Sequence, residues 1–188
     1  ATGFGNLFQL LMSPDGVILF IVDCSNNAVK AMDTSTNVVT TFATGFNNPT
    51  GITMSPTGLE LYVSDRGNDD IYKIDVVSKE VTTLVSTGLK DPYGIAASGD
   101  GLKLYVADSG NHMIKVVSLA TQVVYVVAGT GTLGSADGTG DGASFAQPKD
   151  VVLAPEGAVL YAVDGRSSGR VRIIALATGK VTTLCGSA

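Results

Sequence analysis

One pattern of apolar and polar residues occurs four times along this sequence of 188 residues. Each copy is an apolar run that ends in aspartate, and a glycine stands seven residues before that aspartate in every copy. The runs are ILFIVD, LELYVSD, LKLYVAD and VLYAVD, which end at Asp23, Asp65, Asp108 and Asp164. The aspartates are 42, 43 and 56 residues apart, so the chain is built from internal repeats.

The second copy shows the elements that each repeat predicts. Residues 50–54 form a short strand-like run, and Ser55-Pro56-Thr57-Gly58 is a turn in which proline and glycine suit the backbone angles. Further runs bounded by polar turns predict strands over residues 59–65, 70–77 and 80–87. Four short strands in about 40–45 residues are typical of one blade of a β-propeller.

The predicted fold class is therefore all-β, a β-propeller of four-stranded antiparallel blades that occupies residues 1–188. We place the repeats at residues 4–45, 46–88, 89–145 and 146–188. The third spacing exceeds the second by 13 residues, which fall in GTGTLGSADGTGDGASFAQP. Because that segment is rich in glycine, serine, threonine and aspartate, it predicts a flexible, solvated connector between the third and fourth blades.

The third repeat carries the most specific motif in the chain. Its segment PYGIAASGDGLKLYVADSGNHMIKVV, which contains Asn111 and His112, resembles a consensus NHL repeat. The connector VVAGTGTLGSADGTGDGASFAQPKDV also resembles the connectors of NHL proteins. The resemblance covers essentially the whole chain and implies a propeller, typically six-bladed, that serves as a binding platform.

The first repeat departs furthest from this motif. Asn27-Ala28-Val29 replaces the signature, and Phe8-Gln9 stands where Thr50-Gly51 and Tyr93-Gly94 stand in later repeats. The fourth repeat has a turn one residue longer, from Asp164 to Arg170.

Some NHL-type propellers are lyases that hold zinc with several histidines, and His112 is the only histidine of this chain.

Composition and charge limit the classes of partner. Hydrophobic residues make up 45% of the chain and charged residues 15%, which is typical of a folded globular protein. The net charge is −5 and no run of lysine or arginine occurs, so we expect no nucleic-acid partner. The stretch VVLAPEGAVLYAV is interrupted by Pro155, Glu156 and Gly157, so we expect no membrane insertion. Low charge and abundant serine, threonine and glycine favour an extracellular or surface location.

Few residues suggest catalytic or metal chemistry. A zinc site needs three or four ligands, which His112 and two distant cysteines do not supply. Asp69 and Asp70 are paired carboxylates in a turn, where we expect them to be solvated. The recurring aspartates are expected to accept backbone N–H bonds in the turn that follows each apolar run. We therefore predict no catalytic residue, no metal ligand and no cofactor.

Three features remain open at this point. The segment Asp137-Gly138-Thr139-Gly140-Asp141-Gly142 is either a solvated connector or a calcium loop, although it lacks the third acidic ligand and distal glutamate of an EF-hand. Gly129-Thr130-Gly131 lacks the βαβ context of a dinucleotide motif. Cys24 and Cys185 either join the first blade to the fourth or remain free thiols.

Four repeats predict one open apolar face on the first blade and one on the fourth. We expect these faces to include Leu19, Phe20, Ile21, Val159, Leu160 and Tyr161. Further blades of a longer protein or other copies of the chain would cover them, and a closed ring of four blades is the alternative.

The predicted function is a non-enzymatic interaction or structural module that binds a protein or glycan partner. The alternative is a fragment of a propeller-type lyase or hydrolase whose catalytic ligands lie outside this chain.

Overall fold

The computed structural model describes residues 3–165 and 169–186, and the predicted turn at residues 166–168 lies outside them. The strands form four antiparallel sheets, which we call blades 1 to 4. Blade 1 contains β1 (Leu7–Met12), β2 (Ile18–Asp23), β3 (Ala28–Asp33) and β4 (Val39–Thr44). Blade 2 contains β5 (Pro49–Met54), β6 (Glu60–Asp65), β7 (Asp70–Asp75) and β8 (Val81–Val85).

Blades 3 and 4 follow the same order. Blade 3 contains β9 (Pro92–Ala97), β10 (Lys103–Asp108), β11 (Met113–Ser118) and β12 (Val124–Ala128). Blade 4 contains β14 (Asp150–Leu153), β15 (Val159–Asp164), β16 (Arg170–Ala175) and β17 (Lys180–Cys185), with the short β13 (Gly138–Thr139) beside β17. No described helix has the length and apolar character needed to cross a membrane.

The predicted all-β propeller of antiparallel blades is confirmed, and the four main strands of each blade pair within one repeat. The exception is β13, which lies in the predicted third repeat and pairs with β17 of blade 4. The third strand of blade 2 is shorter than predicted, because it ends at Asp75 instead of residue 77. The Asp75 carboxylate accepts the backbone N–H groups of Val77 and Ser78 at 3.0 and 2.7 Å. This local turn competes with the strand for those donors and ends it.

The predicted solvated connector before blade 4 is instead an ordered part of the fold. Ala143 and Phe145 are fully buried in the core between blades 3 and 4. The Gly140 carbonyl accepts the N–H of Gly129 at 3.0 Å, and the Gly140 N–H donates to the carbonyl of Gly179 at 2.9 Å. Strand β13 covers the outer edge of blade 4, so this connector ties two blades together and pairs an exposed strand edge.

Three apolar cores join consecutive blades: one lies between blades 1 and 2, one between blades 2 and 3, and one between blades 3 and 4. Within residues 3–165 and 169–186, no apolar core of this kind joins blade 4 to blade 1. Leu10 and Met12 on blade 1 are exposed, as are Val152 and Val163 on blade 4.

The predicted composition of these open faces is partly wrong. Phe20, Ile21 and Leu160 are buried, and Phe20 packs in the core with blade 2 while Leu160 packs in the core with blade 3. Tyr161 is exposed, as expected for an open face. Successive residues of a strand point to opposite sides of the sheet, so one run of three cannot lie on a single face.

The first strands of the blades, β1, β5, β9 and β14, approach one another closely, and we call them the inner strands. The N–H of Gly94 in β9 donates to the carbonyl of Lys149 at 3.0 Å. A Cβ atom on Gly94 would lie 2.6 Å from the Cα of Asp150, so only glycine fits at this contact. The close approach of backbones therefore explains a glycine that no turn requires.

We expect Gly94→Ala to destabilise the fold by about 1–3 kcal/mol, because the added methyl group overpacks a backbone contact. Urea unfolding followed by circular dichroism measures this change. Gly99→Ala is the matched control, since a Cβ atom at Gly99 meets nothing within 4 Å. Equal midpoints for both variants would contradict the close packing of β9 against β14.

Candidate functional site

A buried aspartate at the end of the second strand anchors each blade. Each carboxylate accepts the backbone N–H of a residue 18 positions earlier, just before the inner strand. These pairs are Gly5–Asp23 at 3.1 Å, Asn47–Asp65 at 2.8 Å, Lys90–Asp108 at 2.7 Å and Ala146–Asp164 at 2.6 Å. We expected the donors to lie in the following turn, but these four lie in the segment that enters the blade. The backbone of Gly67, in the following turn, also bonds to Asp65.

The turn after the second strand contributes side chains to the same carboxylates. An asparagine three residues after the aspartate donates its amide at 2.8–2.9 Å, and these residues are Asn26, Asn68 and Asn111. In blade 4 the donor is the fully buried guanidinium of Arg172, 3.0 Å from Asp164. A buried carboxylate is costly in its charged form unless such donors surround it. These hydrogen bonds therefore hold the donor side chains in place beside each aspartate.

The charge beside the carboxylate differs between blades. Lys115 lies 2.5 Å from Asp108, and Arg172 pairs with Asp164. The same position of the third strand in blade 2 is Tyr72, which carries no positive charge. Burial raises the pKa of Asp65 to about 6, against its hydrogen bonds with Asn47 and Asn68.

This raised pKa predicts a stability change between pH 4 and 7. Folded Asp65 holds its proton up to about pH 6, whereas an unfolded aspartate loses it near pH 3.9. The folded state therefore loses stability as pH rises through this interval, by up to about 3 kcal/mol.

In Asp65→Asn this titration is absent, so the wild type should become less stable relative to the variant as pH rises. Urea unfolding at several pH values measures the difference. Asp33→Asn is the control, because hydrogen bonds from Ser35 and Thr36 lower the pKa of Asp33 to about 2, below the interval. A difference between wild type and Asp65→Asn that does not vary with pH would contradict the burial of this carboxyl.

Residues at or next to the starts of the anchored inner strands come together at one end of the propeller. There they surround a pocket of about 290 Å³, which we call the axial pocket. Its walls are formed by Phe8, Gln9, Thr50, Tyr93, Gly94, Lys149 and Asp150. All four blades contribute to it, so the pocket exists only because the blades are arranged around one axis.

Tyr93 is the centre of the cationic and aromatic contacts in the pocket. The Lys149 Nζ atom lies 3.7 Å from the ring centroid and 3.0 Å from the Ser109 hydroxyl. The Arg66 guanidinium lies 5.3 Å from the same centroid and pairs with Asp91 at 3.1 Å. The Phe8 ring meets Tyr93 edge to face, with centroids 6.2 Å apart. These contacts hold the ring and both cations in defined positions.

Asp150 and Gln9 supply the other polar groups. Burial raises the pKa of Asp150 above its ordinary value, and its Oδ1 atom accepts the Val151 N–H at 2.9 Å. The Gln9 Oε1 atom accepts the Ile52 N–H at 2.7 Å, which leaves its amide NH₂ as a donor. The pocket thus combines aromatic surface with hydrogen-bond donors and acceptors, as small-molecule sites do.

His112 lies outside the axial pocket and joins two blades. It has a left-handed backbone, with φ of 55°, and its Nδ1 atom accepts the Gln147 N–H at 3.2 Å. Asn27 and Asp69 occupy the same place in blades 1 and 2, where their oxygens accept the N–H groups of Asn48 and Asp91 at 2.9 and 2.7 Å. The histidine of the motif therefore has a linking role that other acceptors share.

The remaining sequence candidates lie apart from the axial pocket. Asp137 accepts hydrogen bonds from Arg172 and Thr183 at 3.0 and 2.9 Å, and Asp141 lies in the short 3-10 helix Gly140–Gly142. Asp70 accepts the Tyr72 hydroxyl, and Cys24 and Cys185 are free. Across the described ranges, no three His, Cys, Asp or Glu side chains form a group suited to a metal.

Sequence reasoning missed the pocket residues Phe8, Tyr93, Lys149 and Asp150 as a site. The available signal was the departure of Phe8-Gln9 from Thr50-Gly51 and Tyr93-Gly94 at one position of the repeat. Aligned in the structure, that position holds a different residue in each of the four blades. A repeat position that varies while its neighbours recur is a marker for a specialised site.

No protein-family model matches this sequence, and no curated protein matches it. Solved structures do match. A structure of hydrazine synthase from Kuenenia stuttgartiensis is 25% identical, with 98% of this chain and 51% of that chain covered and a TM-score of 0.73. An auxiliary nutrient binding protein from Bacteroides thetaiotaomicron is 21% identical, with coverage of 97% and 48% and a TM-score of 0.80.

A nidogen–laminin complex is similar at 19% identity, with 95% of this chain and 64% of that chain covered and a TM-score of 0.76. This chain therefore spans between about half and two thirds of the length of these three matched chains. The matches include six-bladed β-propellers, and they establish the propeller fold of this chain.

Proposed function

We propose that this chain is a non-enzymatic interaction module of an NHL-type propeller, which binds a protein or glycan partner through the axial pocket. The observation that carries the proposal is the contrast between two sets of repeat positions. The residue that ends the second strand is aspartate in all four blades. In contrast, one equivalent position that lines the axial pocket is Phe8, Thr50, Tyr93 and Lys149 in blades 1 to 4.

This contrast separates structural demands from functional ones. A residue that the blade itself requires is needed in every copy, so the buried aspartates recur. The blade fold does not need a particular residue at a position that differs between blades. Where such positions line one pocket, their four side chains together form a surface that is not present in any one repeat. Rigid strands position these side chains, which suits recognition of a partner.

The NHL assignment is supported by the geometry of the third blade. Its turn places Asn111 on the buried carboxylate and His112 on the following blade, so each residue of the motif has a structural reason. The matched solved structures belong to different classes of protein: a nutrient binding protein, an enzyme and a protein complex. Similarity of fold therefore does not identify which of these activities a propeller has.

The open faces of blades 1 and 4 support a second type of contact. Leu10 is 58% exposed on blade 1, and Val152 is 58% exposed on blade 4. Apolar faces of this kind are covered in repeat proteins by neighbouring units. We propose that further blades or other copies of the chain cover them.

A binding screen tests the function. The chain is first examined by sedimentation velocity, where self-association is expected; a stable monomer that binds no apolar dye would contradict the proposed covering of the open faces. It is then screened against a glycan array and a displayed peptide library. We expect specific ligands whose affinity falls at least about tenfold in Tyr93→Thr/Lys149→Thr, which introduces the residue of blade 2.

Leu102→Thr/Lys103→Thr is the matched control, since both residues are exposed at the opposite end of the blades, beside the turn that precedes β10. The ligands found in the screen should bind this control variant as tightly as they bind the wild type. Ligands insensitive to the pocket variant, or none at all, would contradict the proposal. Mass spectrometry of the recovered ligand should find it unchanged, and chemical conversion would instead support a propeller-type lyase or hydrolase.

A further inference from the structure

The axial pocket has the size and lining of a site for a small molecule. Its volume of about 290 Å³ lies near the lower limit of ordinary ligand pockets, which fits one small ring better than an extended chain. Four inner strands supply its walls, and the Gly94 contact with Lys149 fixes two of them. The site is therefore built on rigid elements.

One wall of the pocket offers an apolar ring surface. Phe8 is 48% exposed. Among the described residues, the aromatic ring that it contacts is Tyr93, edge to face. An aromatic side chain left accessible inside a pocket contributes apolar area that a ligand can cover. A ligand with one flat or weakly polar face would be stabilised by this contact.

The polar groups beside it favour a ligand rich in hydroxyl groups. The Asp150 Oδ1 atom accepts the Val151 N–H, and a carboxyl group has further acceptor sites on its two oxygens. Burial raises the pKa of this group. Gln9 retains its amide NH₂ as a donor. The Lys149 ammonium group, which donates to the Ser109 hydroxyl, lies in the pocket wall beside it. Hydroxyl groups both donate and accept, so they match this mixture of donors and acceptors.

The charges around the pocket balance one another. Lys149 and Asp150 are adjacent and opposite in sign, and Arg66 is paired with Asp91. An anionic ligand would meet the Asp150 carboxylate, and a cationic ligand would meet Lys149 and Arg66. Neither sign of charge is favoured, so an uncharged ligand avoids both repulsions.

From these contacts we infer that the axial pocket binds one neutral sugar residue, such as the terminal unit of a glycan, against Phe8 and between Gln9, Lys149 and Asp150. The inference rests on the proposed function and specifies its ligand. A peptide that occupies the pocket in place of a sugar is the competing outcome of the test.

Titration of the ¹⁵N-labelled chain with methyl glycosides of glucose, galactose and mannose tests this inference by NMR. We expect at least one glycoside to shift the amide signals of Gln9, Gly94 and Val151, with millimolar affinity. Phe8→Thr, which introduces the residue of blade 2, should weaken binding at least fivefold, and Asp150→Ala about tenfold. Preserved amide spectra will show that both variants fold.

Two controls make the result specific. Phe4→Ala and Asp141→Ala remove an exposed aromatic ring and a carboxylate outside the pocket, and they should leave the affinity unchanged. Methyl glucuronide and methyl glucosaminide, which carry charge, should bind more weakly than the neutral glycosides.

Tighter binding of a charged glycoside, or no shift with any neutral glycoside up to about 50 mM, would overturn the inference. If peptides from the library still bind and remain sensitive to the Tyr93→Thr/Lys149→Thr change, the proposed function stands and only the saccharide inference fails. If neither sugars nor library ligands depend on the pocket, both fail.

Discussion

The buried carboxylate that ends the second strand of every blade determines where the inner strand begins. Asp23, Asp65, Asp108 and Asp164 are fully buried, and each accepts an N–H from the segment that enters its own blade. A buried carboxylate without donors is costly, so this connection is needed in every repeat. As a consequence, the segments that lead into the inner strands are held at equivalent places, and side chains near the starts of these strands meet at the axial pocket.

The rest of the structure adapts to this constraint in different ways. Lys115 and Arg172 form ion pairs with the carboxylates of blades 3 and 4, whereas the equivalent residue of blade 2, Tyr72, carries no charge. Burial raises the pKa of both Asp65 and Asp164. The connector before blade 4 brings Asp137 to Arg172 and buries Phe145, so a glycine-rich segment completes the fourth blade. These structural demands leave Phe8, Thr50, Tyr93 and Lys149 free to differ at one position of the repeat.

Much of the fold was predictable because its signals are local. The recurring aspartates, the turns and the apolar runs lie within one repeat, and they predicted the antiparallel blades. The packing of Ala143 and Phe145 was not predictable, since a segment rich in glycine shows no periodicity and Gly140 bonds to Gly179, in the distant turn before β17. The pocket was missed because Phe8 and Asp150 belong to different blades and meet only when the blades are assembled.

The central claim is that the buried carboxylates hold the segments that lead into the inner strands. Amide hydrogen exchange measured by NMR tests it directly, because the N–H groups of Gly5, Asn47, Lys90 and Ala146 precede the strands and donate to those carboxylates. We expect these amides to exchange as slowly, within about tenfold, as amides in the centres of their blades. Exchange at the rate of exposed turn amides would contradict it.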